Sequence, residues 1–475
     1  MVLLFSASCE KDLSELNQDI KNPAQVPGES LFTSAQKDLV DQLVSTNVNY
    51  NPFRLFCQYW TQTTYIDESN YDLVTRNIPE QHWSELYRYV LKNLDEASVV
   101  ISETEVLAAQ EVAKNNKLQI IEILKVFTYS VLVESFGNIP YSEALDINKL
   151  LPKYDDGQTI YTDLLTKLDA ALGKLDTNEG SFGTADNIYF GDVAAWKKFG
   201  NTIKLRMGMT LAGKMTDLAK TTVESAVAAG VFTSNEDNAT MTYLSSPPNT
   251  NPLYIDLVAS GRNDFVAANT LVDKMNSLED PRRPFYFDDN MDDPATPEVE
   301  YVGGIYGDNN TFSLYTHIAK GIESPTFGGT VMDYAEVEFM LAEAVELGFN
   351  VGGTAEEHYN KAIEASILFW GGTSSDVDAY LQQAEVAYTT AQGEWQEKIG
   401  IQKWIALYNR GFAGWLSWRC LDYPVLTAPG DAVSDIPLRL TYPIVEQTLN
   451  GANWNEASTA IGGDAVSTRL FFDLD

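Results

Sequence analysis

Basic charge is scarce in this chain of 475 residues: 32 lysines and arginines stand against 67 aspartates and glutamates, a net charge of −35. Such a surface repels phosphate backbones and anionic headgroups, which argues against nucleic acid as a partner and against peripheral docking on anionic lipid. Cysteine is almost missing. Three residues, Cys9, Cys57 and Cys420, cannot form a disulfide framework; Cys57 and Cys420 sit among apolar and aromatic neighbours and read as small core residues. The three histidines, His82, His317 and His358, show neither HxxxH nor HExxH spacing, so a His-built zinc site has no support. A GxSxG elbow and a GxxxxGK[ST] loop are both absent. Carboxylates are so numerous that close pairs arise by chance, and a glycosidase pair cannot be read from spacing. The acidic run Asp288–Asp293 lacks the glycine and terminal glutamate of a calcium loop and reads as solvated loop acids. Neither a cofactor nor a metal is implied.

No run reaches the roughly 20 apolar residues needed to cross a bilayer. The chain nevertheless opens "MVLLFSASCEKDL", a short apolar run, small residues, then Cys9. That resembles the end of a bacterial lipoprotein signal, cut before a cysteine that receives lipid. Residues 1–8 are thus read as residual signal and 9–25 as a lipid-anchored tether. The expectation for the rest, 26–475, is one anchored but not inserted domain.

What the chain has in quantity is apolar residues at helical spacing. They make up 44% of it, enough for a large core. Leu118, Ile121, Leu124, Phe127, Val131 and Leu132 fall on one helical face, with Gly137 as a stop. Ile160, Leu164, Leu165, Leu168 and Leu172 repeat the pattern. Asp192 is a good N-cap for the next helix, and a further helix runs from Asp333 towards Gly348. Thr354 and Glu357 form a capping box. In the helix they open, Ala355, Tyr359 and Ala362 match the small–aromatic–Ala spacing of a tetratricopeptide second helix. The expected fold is mostly α, a helical-repeat platform.

Between about 239 and 330 the texture changes to Pro, Gly, Asn and Asp, predicting loops with short strands in a loop-rich lobe. Long loops of this kind are often functional. With catalytic constellations lacking, the remaining equipment is aromatic rings beside amides and acids. An aromatic face stacks on the apolar face of a sugar ring while polar neighbours bond its hydroxyls; a peptide can be held the same way. Two segments offer this, Gln58 to Asp72 and the insert. The candidate ligand-binding residues are Trp60, Tyr65, Tyr71, Tyr286, Tyr301 and Tyr306. A third aromatic stretch, Ile401 to Pro424, reads differently. On one continuous helix Trp404, Tyr408, Gly411, Trp415 and Trp418 fall within about 80° of each other, with the glycine where a neighbour could approach. That is a packed seam rather than an open platform.

Seven segments, in chain order, carry a family pattern: "FGNIPYSEAL", "AWKKFGNTIKLRMGM", "DPRRPFYF", "YAEVEFMLAEA", "HYNKAIEASILFWG", "IQKWIALYNRGFAGWLSWRCLDYP" and "IPLRLTYPIVEQTLN". Together they resemble the SusD/RagB family of outer-membrane nutrient-binding lipoproteins. Asn138 stands where that family usually has Asp, Arg410 where Gln is common, and Cys420 and Leu421 in place of Arg and Thr. The boxes are mostly scaffold, so these departures bear little on ligand choice. The resemblance implies a SusD-like helical fold with four tetratricopeptide-like pairs, a lipid on Cys9, and display at the outer-membrane surface. It also implies a SusC-like TonB-dependent transporter as partner and an oligosaccharide, or sometimes a peptide, as cargo. The function expected is capture and delivery without catalysis. The alternatives are a RagB-like peptide binder and a helical-repeat scaffold that touches only protein.

Overall fold

A computed structural model describes residues 26–292 and 300–473. Cys9, the expected signal and tether, and Asp293 lie outside the described residues. Four pairs of antiparallel-packed helices form the frame. Helix α1 (Gly28–Val44) packs on α2 (Lys92–Glu103), α3 (Glu111–Phe136) on α4 (Gly157–Lys174), α5 (Val193–Thr210) on α6 (Thr216–Ala229), and α7 (Tyr334–Glu346) on α8 (Ala355–Trp370). Two further helices, α9 (Trp395–Ala406) and α10 (Gly411–Leu421), pack against this frame. The mostly helical architecture is the one the periodicity predicts.

Local chemistry sets the helix ends. Gly137 stops α3 in a left-handed conformation (φ 86°) that a side chain would resist. The Asp156 carboxylate accepts from the Thr159 amide at the start of α4, and Asp192 accepts from Ala194 and Ala195 at the start of α5. Thr354 and Glu357 make the reciprocal capping box of α8. Ala355, Tyr359 and Ala362 are all buried on its packed face.

Three two-stranded antiparallel sheets close the connections: β1 (Trp60–Gln62) with β5 (Phe265–Ala267), β2 (Ile139–Pro140) with β3 (Tyr154–Asp155), and β4 (Ala239–Met241) with β6 (Gly329–Met332). The 239–330 segment therefore has short strands, as expected, and also a helix at Asn269–Ser277. Its aromatics Tyr286, Phe287, Tyr301 and Tyr306 join a single hydrophobic cluster that runs from Phe32 to Ala457.

The quoted sequence boxes supply buried polar ties within that cluster. Arg282 and Asp280, both fully buried, pair at 2.6 Å. Arg410 bridges Asp333 (3.0 Å) and Glu336 (2.6 Å), linking α7 to the α9–α10 junction, and Lys403 pairs with Glu343 at 2.7 Å. Asn138 accepts from the Gly157 amide at the start of α4. These residues act as scaffold.

Two expectations need correction. The stretch from Ile401 to Pro424 is not one helix: Arg410 leaves helical geometry (φ −118°, ψ 67°) between α9 and α10. Gly411 then lies so close to the short helix Phe53–Phe56 that a Cβ would sit 2.6 Å from the Arg54 amide nitrogen. The stretch is still a packed seam, with Trp404, Tyr408 and Trp415 buried. Cys57 is a core residue, but Cys420 is exposed.

Candidate functional site

The candidate binding residues separate sharply by exposure. Trp60 is fully buried in β1. Its indole N–H donates to the Tyr408 hydroxyl at 2.8 Å and the Arg54 guanidinium covers its ring at 5.0 Å. Tyr286 is stacked on Tyr408 at 4.2 Å and donates to the Ile405 carbonyl. Tyr306 donates to the Leu55 carbonyl, and Tyr71 packs against Tyr306 and accepts from Gln58. Each is buried, so none of these four presents a ring face for stacking as the sequence suggested. The physical reason is long-range packing: pairing with β5 buries all three residues of β1, Trp60 included, while the other three rings pack against other buried aromatics of the core. Tyr301 is buried to the same degree as Tyr306, packed against Phe287 and Arg283, and borders a second cavity without an open ring face.

Tyr65 is the exception, 64% exposed. Beyond Gln62 the chain leaves the sheet and folds back on itself. The Gln62 side-chain carbonyl accepts from the Ser69 amide and hydroxyl, and its amide donates to Glu68. Glu68 in turn pairs with Arg76. At the tip of this closed loop Tyr65 takes a left-handed backbone (φ 54°), costly for a side chain this large and held by the loop around it. Two guanidiniums lie near its ring, Arg76 at 5.9 Å and Arg262 at 5.8 Å from the centroid.

The ring borders a cleft of about 340 Å³. Three segments meet there. The loop after α1 brings Asn47 and Asn49; the backbone and side-chain amides of Asn49 donate to the Asn47 side-chain oxygen Oδ1. The second is the Gln62–Arg76 loop. The third is the turn before β5, carrying Asp256, Arg262 and Asp264. Arg54 anchors the first segment by donating to the Val44 and Ser45 carbonyls at the end of α1, and Ser45 donates to Asp256. Burial raises the Asp256 carboxyl to about 6, so at neutral pH it is mainly an ionised acceptor. The lining thus mixes one stacking ring with amide donors and acceptors, guanidinium donors and carboxylate acceptors. That set suits a body with one apolar face and many hydroxyls.

Of the candidate residues only Tyr65 borders this cleft; Arg76, Arg262, Asn47 and Asn49 were not among them. Nothing in local spacing joins these three loops; the Asn-rich turn "STNVNYNP" is the one local signal of a polar surface. Among the described residues no group of three or more His, Cys, Asp or Glu is placed to hold a metal ion. In the acidic run, Asp288 pairs with Lys320 at 3.2 Å. No helix among the described residues is long and apolar enough to cross a membrane.

Residues 20–443 match the SusD-like family profile described as starch-binding and associating with the outer membrane. The chain belongs to this family. Solved structures of other SusD-like proteins superpose over nearly the whole of it. A SusD homolog from Bacteroides uniformis is 26% identical, with 94% of this chain and 99% of that one covered and a TM-score of 0.79. A chitin-binding protein is 27% identical, with 94% and 100% covered and a TM-score of 0.80. A chitin-binding SusD homolog from Flavobacterium johnsoniae is 25% identical, with 94% and 98% covered and a TM-score of 0.77. A comparison with curated protein sequences finds no match.

Proposed function

We propose that this SusD-like protein captures oligosaccharide in the Tyr65 cleft and hands it to a SusC-like TonB-dependent transporter, anchored in the outer membrane by a lipid on Cys9. The observation that carries the reading is the exposed Tyr65 ring, which borders a polar cleft also lined by Arg76 and Arg262. A sugar ring would stack on the tyrosine while its hydroxyls bond Asn47, Asn49, Arg76 and Asp256. Two whole-length relatives described as chitin-binding support glycan as the cargo class. Capture of this kind breaks no bond, and the protein acts as a binder rather than an enzyme.

The test is a glycan array followed by calorimetry on the soluble chain. At least one glycan binds, and Tyr65→Ala weakens it about tenfold, the loss of one well-placed aromatic contact, with unchanged melting. Equal affinity of parent and variant removes the cleft from the proposal. Blank glycans with a bound peptide replace it with the RagB-like peptide reading. Blank arrays of both kinds, together with capture of a barrel partner, leave the protein-only scaffold. New reducing ends after incubation with polysaccharide contradict the non-enzymatic assignment.

A further inference from the structure

A second cavity, of about 610 Å³, has the opposite character. Its volume falls in the range of small-molecule sites, and its wall is aromatic. Phe285, Phe327 and Trp370 are half-buried and Phe369 is 37% exposed. The rings are fixed against each other and the core: Trp370 meets Tyr286 edge-on at 4.6 Å and Phe369 edge-on at 5.8 Å, and stacks on Phe327 at 6.1 Å. These are preset faces rather than collapsible side chains.

The rest of the lining is acidic. Asp288, Asp289 and Asp292 border the cavity, with Lys320 as its one basic residue. Lys320 pairs with Asp288 at 3.2 Å and is shared with Glu323 at 3.2 Å. Among the described residues Asp289 and Asp292 have no basic partner within ion-pair distance. Phe369 and Trp370 form the last turn of α8, which carries no basic side chain. The negative end of the helix dipole adds to the same field. Ring faces with carboxylates beside them attract one kind of group strongly: a cation that gains from the ring quadrupole and from charge-assisted hydrogen bonds together. An anion would face uncompensated repulsion.

We propose that this cavity is a second binding site, separate from the Tyr65 cleft, for a primary ammonium carried on an apolar-faced body. A glucosamine unit of a glycan offers that chemistry, and a peptide carrying lysine is the occupant the test must separate from it. The ammonium sits against Asp289 and Asp292, and the apolar face lies on Phe369 and Trp370.

Calorimetry on the folded Tyr65→Ala variant, in which the first cleft lacks its stacking ring, tests this with three probes: a glucosamine tetramer, its fully N-acetylated counterpart, and a lysine–phenylalanine–lysine peptide. The glucosamine tetramer is expected to bind. Adding Asp289→Asn/Asp292→Asn, at exposed positions, weakens that binding at least tenfold, and adding Phe369→Ala weakens it severalfold. Raising salt from 0.15 to 0.5 M weakens the amine probe as well. The proposal is overturned if the glucosamine tetramer does not bind, if only the peptide binds, if the acetylated tetramer binds as tightly as the free amine, or if the added carboxamide pair leaves binding as it was.

Discussion

Trp60 and Tyr65 lie in the same short stretch, Gln58 to Asp72, yet one is fully buried and the other 64% exposed. Both are aromatic, both neighbour amides and hydroxyls, and nothing local tells them apart. What separates them is a partner elsewhere in the chain. Trp60 is held by strand pairing with Ala267, by the Tyr408 hydroxyl and by Arg54. Tyr65 is past the end of that pairing, on a loop tied to itself. In this stretch the long-range partner, not the aromatic character, decides which ring serves the scaffold and which is left at the surface to meet a ligand.

The comparison breaks most visibly if scaffold and cleft are not energetically separate. Arg282→Ala strips the partner from a fully buried Asp280, and removal of one member of a buried pair costs about 3–5 kcal/mol. Urea denaturation should show a loss of that size. A loss under about 1 kcal/mol means that water or Tyr380, which also donates to Asp280, compensates, and the scaffold role of this box is overstated.

Gly411→Ala probes the seam more gently. The added Cβ would meet the Arg54 amide nitrogen at 2.6 Å and the Phe53 carbonyl carbon at 2.9 Å, backbone atoms that cannot rotate away. Overpacking of this kind costs about 1–3 kcal/mol. Affinity for glycan should stay within twofold of the parent in the folded protein. A large affinity change without a stability change reverses the assignment of the seam.

The contrast also explains what was legible beforehand. Helix caps were, since Asp192, Thr354 and Glu357 act on amides two or three residues away. The seam at Trp404, Tyr408 and Trp415 was legible as packing, although the break at Arg410 was not, because the contact with Phe53–Phe56 that accompanies it comes from a distant segment. The burial of Trp60, Tyr71, Tyr286 and Tyr306 was hidden for the same reason. Arg76 and Arg262 were invisible as a pair: only the folded loop brings both to Tyr65.

The smallest effect makes the finest test, since stability and binding should move apart. Tyr65 occupies left-handed backbone at φ 54°, where a residue with a Cβ costs roughly 1 kcal/mol more than glycine. Its ring is mostly solvated, so little packing is lost when it goes. Tyr65→Gly should therefore leave stability unchanged or raise it by up to about 1 kcal/mol, while glycan affinity falls about tenfold. Thermal melting and calorimetry on one sample measure both. If Tyr65→Gly melts well below the parent, the ring is holding the loop through Arg76 and Arg262, and its exposure is not spare capacity for a ligand. If stability holds and affinity drops, the strain is retained in the native protein for the sake of the ring, which is what a binding residue on a rigid loop requires.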